Sequence, residues 1–450
     1  MDKFAIITAV KTRSGEGPVS LKNNFDVVVI GAGPAGLMGA IECHSKGISI
    51  LVVEQMYRPA LKLRITGSGR CNITNSCDRE TFMKEFGRSG KFLRQAFSRF
   101  FSGELLKFFN DLGVEFELER GGRYFPENGK AETVAEALIR RNEVLGTTLL
   151  SDKKVVAVEK AGDSGFNVLL SARGTKKGDS DITVVTAKKI LLATGGRSYP
   201  ATGSDGSGFE LAKSLGHTII KLIPALVPLK GEGPVPAALS GLAIKNCRVS
   251  VFNGDRKLEE KFGDIEFRDS EIAGPLILAM SEMIVREVKS GGRISIVIDM
   301  KPSLDHKKLD LRILRETESR SNRTFSDIMK KLLPGLAVNL FLDLSGIDPD
   351  KRPEQVTKDD RKMLRHLLKG LRIPVKGSVS IDKALVTAGG VSLKEIDPAT
   401  MKSKITDGIY FAGEMIDLNG STGGFNLQAA FSTGWVAGRS MRESLERTGG

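Results

Sequence analysis

Residues 25–54 read FDVVVIGAGPAGLMGAIECHSKGISILVVE, and the order of residue types in this stretch decides the fold. The apolar run Val27 to Gly31 predicts a buried parallel strand, and a helix is predicted from Leu37 to Ser45. A second apolar strand, predicted from Ile48 to Val53, ends in the acidic residue Glu54. The stretch therefore predicts a β-α-β unit with a carboxylate at the end of its second strand.

Three glycines, Gly31, Gly33 and Gly36, follow the first strand in the spacing G-x-G-x-x-G. Gly31 permits a tight turn, Gly33 lets the backbone approach a pyrophosphate, and Gly36 lets helix and strand pack closely. The phosphates are expected at the free N–H groups and positive dipole end of the helix. Glu54 is expected to accept hydrogen bonds from the adenosine ribose hydroxyls. Strand, glycines, helix, strand and acid in this order predict a dinucleotide site, not an ordinary glycine-rich turn.

The composition is that of a globular chain with a large core. Its 450 residues favour about three domains, 40% of them are hydrophobic, and no apolar run approaches the ~18 residues that span a bilayer. Residues 1–24 lack a signal-peptide layout and are predicted to form an extra strand or a loose extension. The four cysteines form no C-x-x-C pair and the four histidines are scattered, so we predict no metal site. Free thiols without an export signal predict a cytoplasmic location.

The formal net charge of +13 is compatible with a nucleic acid partner, an acidic substrate or solubility alone. Part of the excess positive charge is local, since the segment from Lys62 to Arg99 contains nine Lys or Arg residues and only three acidic residues. Phosphate neutralisation by a dinucleotide accounts for some of this excess. Aromatic residues interleaved with basic ones, as single-stranded nucleic acid binding needs, are not obvious. We therefore expect a small-molecule substrate, neither nucleic acid nor a membrane, and leave the oligomeric state open.

The segment Lys62 to Asn75, KLRITGSGRCNITN, is predicted to be a loop that wraps the cofactor, because it is rich in Gly, Thr and Asn. Its cations are expected to face phosphates; they are Lys62, Arg64 and Arg70. Its amides and one hydroxyl are expected to bind ribityl or ring atoms; they are Asn72, Thr74 and Asn75.

Regular elements are predicted through the next part of the chain. The helices are predicted at 91–112, 131–145 and 209–215. The strands are predicted at 114–118, 122–125, 155–159, 166–170, 182–186 and 190–193, with a charged turn at 174–181. The last strand runs into Thr194-Gly195-Gly196, where the backbone is expected to approach the flavin nucleotide. The glycine-rich segment Gly203 to Gly208 is predicted to start a helix, not to form a second dinucleotide site.

An insertion is predicted before the chain returns to the first domain. Residues 218–300 have a strand-like pattern, and residues 305–371 are helical and charged, with helices predicted at 307–320, 323–331, 339–342 and 358–369. Such insertions usually cover the reacting face of a cofactor and set substrate choice. The chain returns at residues 377–387 and continues to an apolar strand that ends in Gly413 and Glu414.

The segment Ser421 to Gly438, STGGFNLQAAFSTGWVAG, predicts a helix that opens at a glycine pair, Gly423 and Gly424. Its N–H groups and positive dipole end are expected at the pyrimidine side of an isoalloxazine ring. There they stabilise the negative charge of reduced flavin at N1 and the C2 carbonyl.

The sequence resembles the BaiN-type NAD(P)/FAD-dependent oxidoreductases over nearly everything after the first two dozen residues. The matching motifs are VVVIGAGPAGLMGA (27–40), GSGRCNITN (67–75), ATGGRSYPATGSDGSGFELAKSLGH (193–217), VTAGGVSLKEI (386–396) and GIYFAGEMIDLNGSTGGFNLQAA (408–430). The resemblance implies a glutathione-reductase-like fold. It also implies that FAD is held by Ala35, Glu54, the 62–75 loop, Val156, Thr194, Glu414 and the Asn426–Leu427 backbone.

One motif departs from the family pattern. The segment Phe267 to Pro275, FRDSEIAGP, has Arg268 and Asp269 where a Thr-His pair is expected before the Gly-Pro turn. If that pair helps shape the substrate pocket of the family's members, their substrate cannot be transferred to this chain, although the fold is unaffected.

We predict an α/β protein with a Rossmann-like three-layer FAD-binding domain, a β-rich insertion and a helical insertion. The predicted limits are an extension at 1–24, the FAD domain at 25–216 and 375–450, the β-rich part at 217–304 and the helical part at 305–374.

The predicted activity is an FAD-dependent oxidoreductase whose flavin is reduced by NAD(P)H. The reduced flavin is reoxidised by an organic acceptor such as an activated C=C bond, or by oxygen. No catalytic side chain is assigned. One alternative is a disulfide-type reductase that uses Cys71 and Cys77, although the leading hypothesis holds Cys71 beside the flavin for packing. The other is an FAD-containing protein that binds or modifies RNA, which the net charge motivates.

Overall fold

The computed structural model describes residues 23–162, 165–172, 182–318 and 324–448. Contacts between Cα atoms divide the chain into two units. Unit 1 comprises residues 1–222 and 386–450, and unit 2 comprises residues 223–385. The predicted extension at 1–24, apart from its last two residues, and the predicted charged turn at 174–181 lie outside the described residues.

The strands and helices have the following bounds. The strands are β1 (Asn24–Ile30), β2 (Ile50–Val53), β3 (Thr74–Asn75), β4 (Phe116–Glu119), β5 (Arg123–Pro126), β6 (Thr148–Leu150), β7 (Lys153–Ala161), β8 (Gly165–Ala172), β9 (Ile182–Leu192), β10 (Ile219–Ala225), β11 (Leu229–Gly231), β12 (Ala243–Asn253), β13 (Arg256–Arg268), β14 (Glu271–Ala273), β15 (Ile294–Asp299), β16 (Leu371–Ser378), β17 (Val386–Val391) and β18 (Ile409–Phe411). The α-helices are α1 (Pro34–Cys43), α2 (Leu61–Ile65), α3 (Arg79–Lys84), α4 (Arg94–Arg99), α5 (Ser102–Asp111), α6 (Ala131–Val144), α7 (Ser207–Ser214), α8 (Val235–Ala238), α9 (Pro275–Lys289), α10 (His306–Thr317), α11 (Phe325–Leu332), α12 (Gly335–Ser345), α13 (Lys358–Lys369) and α14 (Phe425–Thr448).

A seven-stranded sheet organises unit 1, in the order β6-β2-β1-β9-β8-β7, with β18 also paired to β9. The strands β6, β2, β1, β9 and β18 run parallel, and β7, β8 and β9 form an antiparallel meander. Two strands share one edge of β9. The first half of β9 pairs with β8, and residues 190–192 of β9 pair with β18. The helix α1 packs against β1, β2 and β9 and against α6 and α14. This arrangement confirms the predicted α/β, Rossmann-like class.

Close backbone approaches explain two glycines of the fingerprint. A Cβ on Gly31 would lie 2.5 Å from the Ala193 carbonyl oxygen, and Gly31 has φ +102°. A Cβ on Gly36 would overlap with the Gly31 carbonyl oxygen. The β1–α1 turn therefore packs directly on the end of β9. Bulkier residues at these positions would force the first helix away from the sheet.

Three predictions for unit 1 need correction. The segment 62–75 is not irregular, because it contains α2, a 3₁₀ turn at Thr66–Gly69 and β3. The helix predicted at 91–112 is broken into a 3₁₀ segment at Gly87–Leu93, α4 and α5, since Phe100 and Phe101 adopt extended backbone and turn inward. The strands predicted at 182–186 and 190–193 are one strand, β9, because the lysines between them do not interrupt its pairing with β1.

Unit 2 is built on a closed antiparallel barrel in the order β11-β14-β13-β12-β15-β16. The helix α9 packs against five of these strands and buries Ile277, Met280 and Ile284. The strand-like interpretation of residues 218–300 missed this helix, whose start signal is Pro275 at the first helical position after Gly274. The helices α10 to α13 share one buried apolar core with the barrel. The predicted limits of the subdomains stay a prediction.

The motif that departs from the family pattern forms the turn between β13 and β14. Arg268 is exposed and pairs with Glu266 at 2.7 Å, and the Asp269 N–H donates to Ser240 Oγ at 2.9 Å with φ +53°. Neither side chain is buried within unit 2. Among all residues that the structure describes, no helix is long and apolar enough to cross a membrane.

Candidate functional site

The first part of the site is the N-terminal end of α1. Gly33 is the N-cap residue, Pro34 occupies the first helical position, and the first turn carries no acidic residue. No side chain caps this end, and a Cβ placed on Gly33 would meet nothing within 4 Å. The helix end is therefore open to an anion. Its unpaired N–H groups and its dipole both favour negative charge there.

Glu54 lies at the end of β2 in a fixed orientation. One carboxylate oxygen accepts the Ala32 N–H at 2.9 Å and the other accepts the Met56 N–H at 2.9 Å. The side chain is buried, and the neighbouring Gln55 side chain donates to the Gly203 carbonyl. These main-chain bonds place a charged acceptor beside the β1–α1 turn.

The three cations of the 62–75 segment are paired with carboxylates in the structure. Lys62 Nζ lies 2.7 Å from Glu414 Oε2 and 2.7 Å from Ser198 Oγ. Arg64 is nearly buried and pairs with Glu132 and Glu136 of α6, and Arg70 pairs with Glu119 and stacks on Phe125 at 4.3 Å. Arg64 therefore anchors α2 to α6. That all three cations contact phosphates stays a prediction. The ion pairs of Arg64 with Glu132 and Glu136 do not support this prediction for Arg64.

Glu414 is held from three sides. Besides Lys62, its Oε1 accepts the Thr387 N–H at 2.8 Å, and Ser198 Oγ lies 3.3 Å from the same oxygen. The Thr387 hydroxyl accepts the Arg197 N–H at 2.8 Å. We name Lys62, Ser198, Thr387 and Glu414 the Lys62 network. It joins segments that lie far apart in the sequence.

The beginning of α14 is tied to β3 by three side chains. With its amide oriented to satisfy both groups, Asn72 donates to the Thr74 carbonyl and accepts the Gly424 N–H, each at 3.1 Å. Asn75 donates to the Gly423 carbonyl at 3.1 Å, and the Thr74 hydroxyl donates to Gln428 Oε1 at 2.6 Å. A Cβ on Gly424 would lie 2.5 Å from the Thr74 carbonyl oxygen. The close approach of the Thr74 backbone within the same chain therefore requires a glycine at this position.

The first turn of α14 carries open N–H groups. Within the described residues, the Gln428 N–H bonds to the Gly424 carbonyl, whereas the N–H groups of Asn426 and Leu427 have no hydrogen-bond partner. The Asn426 side chain instead closes the preceding loop, since its amide exchanges two hydrogen bonds of 2.8 Å with Gly420. This helix end is a second site with positive potential.

The remaining predicted residues lie in three places. Ala35 is buried against Gly413 and Gly434, and the Gly413 N–H donates to Thr433 Oγ1 at 3.0 Å. Thr194 donates to Met415 Sδ at 2.7 Å, and Gly195 has φ +76°. Val156 is 45% exposed at the bulge of β7. Their contacts with a cofactor stay predictions.

The cysteines lack the features of a redox pair. Cys71 is fully buried with φ +61°, and burial raises the pKa of its thiol to about 12. Cys77 is half-buried, and burial raises the pKa of its thiol as well. A thiolate at either position is therefore disfavoured at neutral pH.

Ser198, Thr387 and Gln428 belong to the site but were not predicted from the sequence. Each lies inside a motif that was recognised, in GGRSYP, VTAGG and FNLQAA. The motifs marked the segments but did not show which side chains bond across them. The partners of these bonds are separated by 27 to 354 residues along the chain.

Comparison with known proteins identifies the family. Residues 25–440 match the family described as the HI0933-like protein Rossmann domain. The chain belongs to the HI0933-like family. A relative is the 3-dehydro-bile acid delta(4,6)-reductase of Clostridium scindens, 30% identical over 421 residues that cover 92% of this chain and 98% of the relative. Another is the ribosomal RNA dihydrouridine synthase of Escherichia coli, 25% identical over 421 residues that cover 93% and 98%.

A solved structure agrees with this HI0933-like fold. The 3-ketosteroid delta1-dehydrogenase from Sterolibacterium denitrificans superposes with a TM-score of 0.50 at 14% identity, over 94% of this chain and 100% of that one. At this identity the likeness concerns the fold alone. The chain is an FAD-dependent oxidoreductase of the HI0933-like family, as its motifs predicted.

Proposed function

We propose that this protein uses NAD(P)H to reduce a C=C bond that is conjugated to a carbonyl group in an organic acceptor. The observation that carries the proposal is the pair of relatives matched over nearly their full length. A 3-oxo steroid with delta(4,6) double bonds and the uracil ring of uridine are unrelated molecules. Both contain a C=C bond polarised by a carbonyl. What they share is the reaction, so we assign the reaction to this chain.

The residues present fit FAD. The open end of α1 at Gly33 suits the pyrophosphate, and the Glu54 carboxylate suits the ribose hydroxyls beside it. The open N–H groups of Asn426 and Leu427 suit the electron-rich pyrimidine edge of a flavin. When bound, FAD supplies hydride transfer between the nicotinamide donor and the acceptor.

The chain contributes position and electrostatics. Asn72, Asn75 and Thr74 hold the start of α14 against β3, so its dipole has a fixed direction. A fixed dipole costs no reorganisation when charge develops, which is the condition for electrostatic catalysis.

The Lys62 network orients Glu414. Because Lys62 bonds one oxygen of this carboxylate and the Thr387 N–H bonds the other, Glu414 is held in one orientation. We propose that it orients the hydroxyl groups of the cofactor and that Lys62 supplies a nearby fixed positive charge. Loss of Lys62 would release both.

The disulfide alternative has less support. A disulfide-type reductase needs one accessible cysteine of low pKa, and Cys71 has a buried thiol with a pKa raised to about 12. All four cysteines are free, which supports the proposed cytoplasmic location.

The proposal is tested by anaerobic mixing of the FAD-loaded protein with NADH or NADPH while flavin absorbance is followed. We expect bleaching with one of the two, and reoxidation on addition of a 3-oxo-delta(4,6) steroid or a uridine-containing oligonucleotide, with a saturated product found by mass spectrometry. If the bleached flavin is reoxidised only by oxygen or by a disulfide, the proposed acceptor is wrong. No bleaching with either nucleotide would contradict the proposed donor.

A further inference from the structure

Access differs between two parts of the dinucleotide site. At the N-terminal end of α1, a Cβ on Gly33 would meet nothing within 4 Å, so the place assigned to the pyrophosphate is open. Glu54, which is assigned to the ribose, is only 9% exposed. A Cβ on Gly203 would lie 3.3 Å from Glu54 Oε1 and 3.0 Å from Met56 Cγ. The chain at Gly203 therefore covers the place assigned to the ribose.

The chain around Gly203 forms a compact turn. The Thr202 N–H and hydroxyl both donate to the Tyr199 carbonyl, at 2.8 and 2.7 Å, and the Gly203 N–H donates to the Pro200 carbonyl at 3.1 Å. The backbone is left-handed at both ends of these bonds, with φ +55° at Tyr199 and +101° at Gly203. Because its bonds are internal, the turn keeps its shape when it moves. We name residues 199–205 the latch turn.

Two side chains from neighbouring elements bond to the latch turn. Gln55, which follows β2, donates from Nε2 to the Gly203 carbonyl, and Lys154 of β7 pairs with Asp205 Oδ2 at 2.8 Å. The other oxygen, Asp205 Oδ1, accepts the Ser207 N–H at the start of α7. Loss of Lys154 therefore leaves the bond to α7 in place. The Lys154 and Asp205 side chains are both partly exposed, so their ion pair is open to screening by salt.

Opening of the latch turn would expose little buried surface. Of residues 199–205, only Ser204 is buried, and its side chain is a single hydroxymethyl group. Gly206 follows the turn with φ +84°, a conformation in which glycine moves at low cost. Ser198, directly before the turn, is fully buried and bonds to Lys62 at 2.7 Å. The second half of the turn is therefore the part that can lift, while its beginning stays attached to the Lys62 network.

We propose that the latch turn opens to admit and release FAD, and that Gln55 and Lys154 hold it closed over the adenosine. This inference rests on the assignment of Glu54 to the ribose, and it adds a route for cofactor exchange. Both side chains bond to the latch turn and neither is assigned to the cofactor. Their loss should therefore speed entry and release by the same factor and leave the affinity unchanged. A residue that binds FAD directly would change release and affinity together.

The test measures exchange of the cofactor. FAD-loaded protein is mixed with an excess of isotopically labelled FAD, and replacement of the bound FAD is followed by mass spectrometry for the wild type, Q55M, K154M and Q55M/K154M. Methionine approximates the length of both side chains and removes the bond. We expect release to be about twofold to fivefold faster in K154M, which loses a partly exposed ion pair. It should be about twofold to tenfold faster in Q55M, which loses one hydrogen bond, and at least about fivefold faster in the double variant. Dissociation constants from equilibrium dialysis should stay within about twofold of the wild-type value.

The matched control is K107M, which breaks an exposed pair with Asp111 at 2.9 Å on α5. Its release rate should stay within about twofold of that of the wild type. High salt should speed release from the wild type, and this response should be smaller in K154M. NAD(P)H-dependent bleaching of the same samples records failure of the reductase proposal separately.

Four results would overturn the inference. They are release from Q55M/K154M at the wild-type rate, a release rate and a dissociation constant that rise by the same factor, release from K107M as fast as from the double variant, and a full salt response in K154M.

Discussion

The contact between Gly424 and β3 gives the most discriminating prediction. In Gly424→Ala the new Cβ would lie 2.5 Å from the Thr74 carbonyl oxygen, about 0.9 Å short of an ordinary 3.4 Å contact. The first turn of α14 must therefore move away from β3 by a similar distance. This movement stretches the 3.1 Å bond between the Gly424 N–H and Asn72. It also carries the open N–H groups of Asn426 and Leu427 away from the cofactor.

The size of the effect follows from the helix dipole. A helix terminus stabilises a nearby charge by about 0.3–1 kcal/mol, and by up to about 2 kcal/mol when partly buried. For a two-electron couple 1.4 kcal/mol corresponds to about 30 mV. Because the positive end favours the negatively charged reduced flavin, its withdrawal should lower the reduction potential by about 10–40 mV. Dye-coupled anaerobic titration measures this shift, together with the FAD occupancy of the purified variant.

The control is Gly47→Ala. Gly47 has φ +90°, close to the +93° of Gly424, but its Cβ would meet nothing within 4 Å. Both variants should lose about 1–3 kcal/mol of stability from backbone strain. Only Gly424→Ala should change the flavin potential. An unchanged potential with full FAD occupancy in Gly424→Ala would refute the placement of the α14 terminus at the pyrimidine edge.

Four further predictions follow from the structure. Glu54→Gln should weaken FAD binding by about 1–3 kcal/mol, because a charged acceptor is lost, and fluorescence titration with unchanged affinity would contradict this. Cys77→Ser should retain NAD(P)H-dependent bleaching, and loss of turnover together with a thiolate charge-transfer band would favour the disulfide mechanism. Burial lowers the pKa of His217 below its value of about 6.5 in the unfolded chain. The free energy of unfolding should therefore fall as the pH drops below about 6.5, because the unfolded chain then binds a proton that the folded chain does not. Between pH 7 and 5 the urea midpoint of the wild type should fall more than that of His217→Gln. Exchange of residues 223–385 for those of a relative should change acceptor preference and leave the flavin absorbance spectrum intact. A folded chimera that has lost FAD would contradict this prediction.

Local signals in the sequence predicted most of unit 1. The glycine fingerprint, the apolar strands and the acid at Glu54 are short-range features, and the structure places them as expected. The helix α13 was predicted with its observed limits, since Thr357 caps it and Gly370 follows it. Where the pattern was ambiguous the prediction was wrong. Phenylalanines at helical spacing concealed the break at Phe100, and strand-like neighbours concealed α9.

The site was less predictable because its side chains choose partners across the fold. The sequence showed that Arg64 is a cation beside a nucleotide motif, but it did not show that α6 presents Glu132 and Glu136 to it. Likewise the expectation that Asn72 binds a ligand stays a prediction, and the sequence did not show that its side chain accepts the Gly424 N–H. A residue type fixes the kind of bond that a side chain forms. Only the folded chain determines which of several partners is within reach.

The shared edge of β9 affects how the chain is made. The partner of Ile190 on β18 is Ile409, which the ribosome adds 219 residues later. At about 5–20 residues per second this delay lasts roughly 10–45 s, during which the second half of this edge has no strand beside it. Unit 2 lies entirely within the delay and closes its barrel through strands of its own. We expect it to fold first, so that the sheet of the flavin domain is completed only after β18 has been synthesised.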